Sequence, residues 1–265
     1  MVNSDYIHVS VDGHLMTIVL NHPERANAIN EVMIKAMLEA FRQAGQNPDV
    51  RVVLLRGMGG VFSAGQDVKE MENAQMFSYR KHLQNTYNPL ILTIRRLKKP
   101  VMALLDGAVA GAALGIALAC DLRIASEDTV ITVGFLQLGL IPDSAVTLLL
   151  PVHIGLGRAM ELSLLNGRID ASTALAWGLV NKVVSSDRIE YEADEWAKKL
   201  IGAPIGAIGL TKRAFNRAVL PYLEKVLDYE AHLQEIARTS PEHQEGVQAF
   251  LEKRAPKFVN TSDLN

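Results

Sequence analysis

Between Thr129 and Gly157 the sequence TVITVGFLQLGLIPDSAVTLLLPVHIGLG carries a single formal charge, Asp143. An ionised carboxylate in such apolar company is costly unless it is hydrogen-bonded, paired, or kept partly protonated by a raised pKa. Two compatible readings follow. Asp143 follows Pro142 and could be the N-cap of a helix over Ser144 to Leu150. It could equally face a cavity as a general base whose basicity is tuned by its apolar surroundings. Two other stretches offer backbone chemistry. Ser63-Ala64-Gly65-Gln66-Asp67 leaves a buried strand and enters a helix, and Ala110-Gly111-Ala112-Ala113 does the same after Asp106-Gly107. The first N–H groups of a helix have no partner within it. Two such starts with little side-chain bulk could aim their amides at one oxyanion, or could be two ordinary packed turns.

Other chemistries find less support. The seven histidines form no HExxH or other close ligand pair, so no metal is expected. His8, His14, His22 and His82 are expected on surfaces, and His153 in an apolar stretch. A dinucleotide-binding GxGxxG starting at Gly57-Met58-Gly59 fails at Phe62, the P-loop pattern is absent, and GxSxG around Ser63 fails at Val61. The single cysteine, Cys120, excludes an intrachain disulfide and a four-cysteine zinc site, and reads as inert core.

These residues must be positioned by an α/β body. Tyr6 to Val11 and Leu15 to Leu20 alternate apolar and polar residues around Asp12-Gly13, which predicts a β-hairpin. A polar loop, HPERANAIN (22–30), leads into a helix over Glu31 to Gln46, where apolar residues recur at helical spacing. Val50 to Leu55 reads as a buried strand, with a helix beginning near Asp67 after the loop. Met76 to Leu97 reads as one helix stopped by Lys98-Lys99-Pro100. Val101 to Leu105 reads as a strand, followed by a Gly/Ala-rich turn and an apolar helix ending near Cys120. Short strands are expected at Leu122 to Ala125, Val130 to Val133 and Leu179 to Val184. Helices are expected at 143–150, 158–165 and 171–177, and almost continuously from Ile189. The order suggests a strand-rich body over residues 1–190 and a helical region over 191–265.

Length and charge set the remaining bounds. The chain has 265 residues, 49% of them hydrophobic, enough for one large domain or two small ones. Its net charge of −2 lacks the basic excess expected of a general nucleic-acid or anionic-membrane binder. The uncharged run from Gly107 to Cys120 is about 14 residues, short of the roughly 20 needed to span a bilayer, and rich in Gly and Ala. It reads as a buried internal segment. The opening MVNSDYIHVS shows no basic region followed by an apolar stretch, so a cytoplasmic location is the expectation.

Five ordered stretches carry a family resemblance: NHPERANAIN (21–30), VVLLRGMGGVFSAGQDVKEM (52–71), KKPVMALLDGAVAGAALGIALACDLRIAS (98–126), LGLIPD (138–143) and GRIDASTALAWGLVNKVV (167–184). With GVQAFLEKRAPKF (246–258) near the end, the chain resembles the crotonase, or enoyl-CoA hydratase/isomerase, superfamily. The resemblance implies a spiral of ββα units and a C-terminal helical region that packs homotrimers, often paired into homohexamers. It implies an acyl-CoA thioester as substrate, coenzyme A entering with it and no separate cofactor. The thioester oxygen would lie between the backbone amides of Gln66 and Ala112. Arg25, Ala26, Ala28, Ala64, Gly65, Asp67 and Val68 would line the path of the coenzyme A portion. Phe135, Leu136, Leu140 and Ile141 would wall the acyl pocket.

Departures from the family pattern narrow the chemistry. The two glutamates of family hydratases fall on Gly115 and Phe135, so the acid/base pair for adding water is missing. Asp143 stands where many hydratases have glycine. Family members with aspartate there resemble double-bond isomerases, including the ring-opening type of phenylacetate catabolism, and that chemistry needs one base moving one proton. The expected activity is therefore conversion of a 3-enoyl-CoA to a 2-enoyl-CoA, or of a related ring-type substrate, with Asp143 as base. Alternatives are a hydratase of fatty-acid or aromatic catabolism using Glu70, a non-catalytic acyl-CoA binding subunit, and a serine hydrolase using Ser63 or Ser144.

Overall fold

The computed structural model describes residues 4–71 and 78–258. The Asp12-Gly13 turn joins β1 (Ile7–Asp12) to β2 (Leu15–Leu20) in an antiparallel hairpin, as its sequence predicts. Helix α1 (Glu31–Gln46) begins at Asn30, whose side chain accepts from the Met33 amide, and buries the apolar face that its spacing predicts. Strand β3 (Val52–Gly57) pairs parallel with β2. Val68–Met71 forms one short 3-10 turn where a helix is expected after Asp67.

The helix expected over Met76 to Leu97 is two: α2 (Tyr79–Asn85) and α3 (Tyr87–Arg96), broken at Thr86; Met76 itself lies outside the described residues. Strand β4 (Val101–Leu105) leads through Asp106-Gly107 to β5 (Ala108–Ala110) and then α4 (Ala112–Ala119), in which every residue is buried. The uncharged run thus ends in a short helix enclosed by protein on all sides. Among the described residues, no helix is long and apolar enough to cross a membrane.

The chain continues through β6 (Leu122–Ser126), β7 (Val130–Thr132), α5 (Val146–Ile154), α6 (Leu156–Leu164), β8 (Arg168–Asp170), α7 (Ala171–Ala176) and β9 (Lys182–Val184). Helices α8 (Ile189–Ile201), α9 (Ile205–Val219), α10 (Leu223–Arg238) and α11 (Pro241–Leu251) follow. One sheet has the order β1-β2-β3-β4-β6-β9, parallel beyond the hairpin, and the smaller sheet has the order β5-β7-β8. The helical region folds back on the body. Ile189, Ala193 and Ala197 of α8 pack on Val52, Leu54 and Met102, and Leu223, Leu227 and Ala231 of α10 join the main core. The carboxyl ends of parallel β3 and β4 both open into the loops that build the site, a common place for ligands in such sheets.

Candidate active site

The loop after β3 and the turn after β5 are held against each other by backbone. The Ser63 amide donates to Ala108 O at 3.0 Å, and Ala110 N–H donates to Ser63 O at 3.2 Å. The 22–30 loop zips along the other side: Ile29 N–H donates to Gly65 O (2.7 Å), and Asp67 N–H donates to Ile29 O (2.9 Å). Gly65 sits at φ +91°, and a Cβ there would lie 2.7 Å from Ala110 O and 3.6 Å from the Ala112 nitrogen. Only glycine lets the strands come this close. Gln66 and Ala112 thereby line one cavity, and neither backbone amide donates to a protein acceptor among the described residues. Ala112 is the first residue of α4, where the N–H is not used within the helix and the dipole favours negative charge.

Asp143 lines the same cavity. It does not cap α5, contrary to one expectation: the helix starts at Val146, and Ser144 (φ 55°) and Ala145 (φ 66°) form a left-handed turn before it. The cap bonds come instead from Glu230 of α10, which accepts from the Ala145 amide (2.8 Å), the Thr147 amide (3.1 Å) and the Thr147 hydroxyl. Freed from that task, the Asp143 carboxylate is only 7% exposed. It accepts from Ser144 Oγ at 2.8 Å and from Gln234 Nε2 at 2.7 Å. Burial pushes its pKa up to about 6 against the pull of those two hydrogen bonds. Burial also pushes the Glu230 carboxyl up to about 8.

The cavity encloses about 780 Å³ and brings together Gln66, Ala112 and Asp143. Arg25, Ala28, Ala64, Asp67 and Val68 line it too, with Arg25 paired to Asp67 at 2.6 Å, as do Phe135 and Leu140. Four residues expected at the site do not line the cavity. Ala26 and Gly65 spend their carbonyls on the loop zipper, while Leu136 and Ile141 lie outside the lining. Ile141 presents its backbone to Gln234, whose side chain brackets it through N and O. Position 115 has no room for the hydratase glutamate, since a Cβ on Gly115 would stand 2.4 Å from Ser144 O.

Further residues line the cavity, and apart from Glu70 they are visible only in three dimensions. Tyr87 is buried and donates from its hydroxyl to Gln66 Oε1 at 2.6 Å, and Gln66 Nε2 donates to Glu70 at 2.9 Å. Glu70 lines the cavity, and burial raises its pKa. His82 also lines it, and His22 is buried, so neither is the surface histidine expected. Gln234 reaches the site from α10, and Phe250 and Lys253 from α11 and just beyond it. One signal for α10 was present: Leu223, Leu227, Glu230, Ala231 and Gln234 share one helical face, so two polar side chains sit on an apolar stripe. Among the described residues no group of three or more His, Cys, Asp or Glu could hold a metal ion.

Residues 11–261 match the family described as enoyl-CoA hydratase/isomerase. The chain is 36% identical to a 1,2-epoxyphenylacetyl-CoA isomerase of Escherichia coli, over 96% of this chain and 98% of that protein. It is 32% identical to a trans-2-decenoyl-[acyl-carrier-protein] isomerase of Streptococcus mutans, over 94% and 96% of the two chains. A crystal structure of an enoyl-CoA hydratase from Mycobacterium avium subsp. paratuberculosis superposes with a TM-score of 0.88 at 33% identity, covering 96% of this chain and 99% of that one.

Proposed function

We propose that this chain, which belongs to the enoyl-CoA hydratase/isomerase family, shifts a carbon–carbon double bond in an acyl-CoA thioester, with Asp143 as the single base. The observation that carries the reading is the Asp143 carboxylate, buried in the wall of the cavity that also holds the Gln66 and Ala112 amides. In the reaction, Asp143 takes a proton from C2 of a 3-enoyl-CoA. The C–H electrons form a C2=C1 bond, the thioester oxygen takes up negative charge, and the two amides stabilise it. As the carbonyl re-forms, electrons return through C2=C3 to C4, and Asp143 delivers the same proton there. The product is the conjugated 2-enoyl-CoA.

The geometry suits each demand of that sequence. A base with a pKa near 6 is more basic than an ordinary aspartate yet mostly ionised at neutral pH. Removing one preorganised donor from an oxyanion site costs about 3–4 kcal/mol of barrier in other enzymes, so the amide pair is a leading catalytic contribution. Phe135 and Leu140 keep the walls near Asp143 apolar, which discourages water from quenching the intermediate. Burial, and after it the Coulomb field of ionised Asp143, hold the Tyr87 hydroxyl protonated, so it serves as a donor to Gln66 and not as a second base.

The test is a panel of 2-enoyl-, 3-enoyl- and ring-type acyl-CoA thioesters, assayed with wild type and Asp143→Asn. The variant should lose 3-to-2 isomerisation while binding acyl-CoA nearly as well as wild type. Unchanged turnover refutes the reading. A second reading rests on Glu70, whose carboxylate lines the cavity: hydration of a 2-enoyl-CoA by wild type, lost in Glu70→Gln, would favour a hydratase. Turnover of no thioester would leave a binding subunit. Ser63 is poorly placed as a hydrolase nucleophile, because its hydroxyl donates to Asn27 O at 2.7 Å in the loop zipper. We also propose that the protein works as a homotrimer or homohexamer. Leu156, Leu164 and Leu165 in and after α6, and Leu210 and Phe215 on α9, leave large apolar surface exposed on the isolated chain.

A further inference from the structure

Helix α10 lies in the region that the family resemblance assigns to oligomer packing, yet its inner face is spent on the Asp143 turn. Gln234 and Glu230 stand one helical turn apart. Gln234 grips the backbone of Ile141 at both N–H (3.2 Å) and C=O (2.9 Å) and donates to Asp143 Oδ2 at 2.7 Å. Glu230 accepts from the amide of Ala145, the second of the two left-handed residues, and from the Thr147 amide two positions on. Residues with such φ values persist only where the surroundings hold them, and here the holding groups come from one helix some ninety positions along the chain.

We propose that Gln234 and Glu230 are positioning residues for the double-bond shift: Gln234 aims the Asp143 carboxylate into the cavity, and Glu230 locks the turn that carries it. The assignment rests on the reading of Asp143 as base. It differs from a packing role in what it controls. A donor on Oδ2 stabilises the ionised form, so its loss raises the proton affinity of the base. The groups facing Asp143 are few. Its own turn supplies the Ser144 hydroxyl, α10 presents Gln234 and Glu230, and α3 presents Tyr87. Burial keeps Glu230 and Tyr87 protonated near pH 6, and Glu70 and His82, which line the same cavity with pKa values shifted by burial, are separated from Asp143 by repeating the profile in Glu70→Gln and His82→Gln.

The experiment measures kcat and KM for 3-enoyl-CoA isomerisation from pH 5 to 8. Gln234→Met, of similar length but without a donor, should move the acid limb of kcat/KM upward by about one pH unit, with KM within about twofold of wild type. Gln234→Asn, which keeps the amide but withdraws it by one methylene, should move the limb the same way and covers the case in which the Met variant does not fold. Glu230→Leu should lower kcat at least about tenfold with little change in KM, and Glu230→Gln should restore most of it. An unmoved limb in the Gln234 variants, a change carried by KM alone, or wild-type kcat in Glu230→Leu overturns the assignment. Asp143→Asn is run beside them. If it retains turnover, the base reading itself has failed; if it is dead while the Gln234 limb stays put, only the positioning role of α10 has.

Discussion

Asp143 is held where two opposing effects nearly balance. Burial raises the cost of its charge, while the Ser144 hydroxyl and the Gln234 amide lower it, leaving a pKa of about 6. If ionised Asp143 is the base, activity grows as pH rises through that value, and kcat/KM falls about tenfold per unit below it. A pH–rate profile with its acid limb near 4, the ordinary aspartate range, would contradict the site described here. The same shift bears on stability with a definite sign. A carboxylate whose folded pKa lies above its unfolded value binds protons more tightly when folded. Its favourable contribution is complete below about pH 4 and is lost as pH rises through about 6. At neutral pH the ionised group therefore costs about 3 kcal/mol. Asp143→Asn should be more stable than wild type at pH 7.5, by about 1–3 kcal/mol, and should show no advantage at pH 3.5. Denaturant unfolding at the two pH values measures this, and equal stability at pH 7.5 would mean the carboxylate is not under strain.

At the scale of elements, the contact between α4 and the 143–145 turn decides which chemistry fits. Gly115 faces the turn so closely that an added Cβ would meet Ser144 O at 2.4 Å and Ser144 Cβ at 2.8 Å. Gly115→Ala should thus cost about 1–3 kcal/mol of stability and lower kcat by pushing the base off its aim; thermal unfolding and isomerase assays report the two effects. For the same reason Gly115→Glu with Phe135→Glu should not install hydratase activity, although it restores both hydratase residue types. Appearance of hydration in that double variant would show that the turn can yield. Sequence patterns made the outer parts of this arrangement legible. Asp12-Gly13 marked the hairpin, the spacing of Met33, Met37, Ala40 and Ala44 marked α1, and an isolated charge marked Asp143. The rest depended on contacts that leave no local trace. Strands β5 and β8 have three residues each, too few for a period to register. The break at Thr86 has no Pro or Gly beside it. It is set by what each half reaches: Thr86 Oγ1 returns to His82 O, Tyr87 extends to Gln66, and Asn88 donates to Leu227 O on α10. Glu230 and Gln234 lie far from Asp143 in sequence, and only their place on an apolar helical face hinted that they point inward.

For the whole molecule, α10 connects the cavity to the surface of the isolated chain. Its inner face carries Leu223, Leu227, Glu230 and Gln234, while Tyr222 just before it and Tyr229 and Ile236 on its other side are exposed. Phe250 of α11 combines both situations, being more than half exposed and yet part of the cavity lining. Side chains this large and apolar gain about 1.5–3 kcal/mol each when fully covered, so association of identical copies would steady the helix that holds Asp143. Stability and activity should then depend on protein concentration together. Sedimentation of the purified protein at micromolar concentration should give three or six times the mass of one chain, and specific activity should fall on dilution into the range where that assembly dissociates. The fall should appear in kcat more than in KM, because Arg25, Ala64 and Asp67, which also line the cavity, belong to loops braced within one chain. A monomer with full activity at every dilution would show that the packing of α10 within a single copy suffices, and that its exposed apolar side serves no assembly.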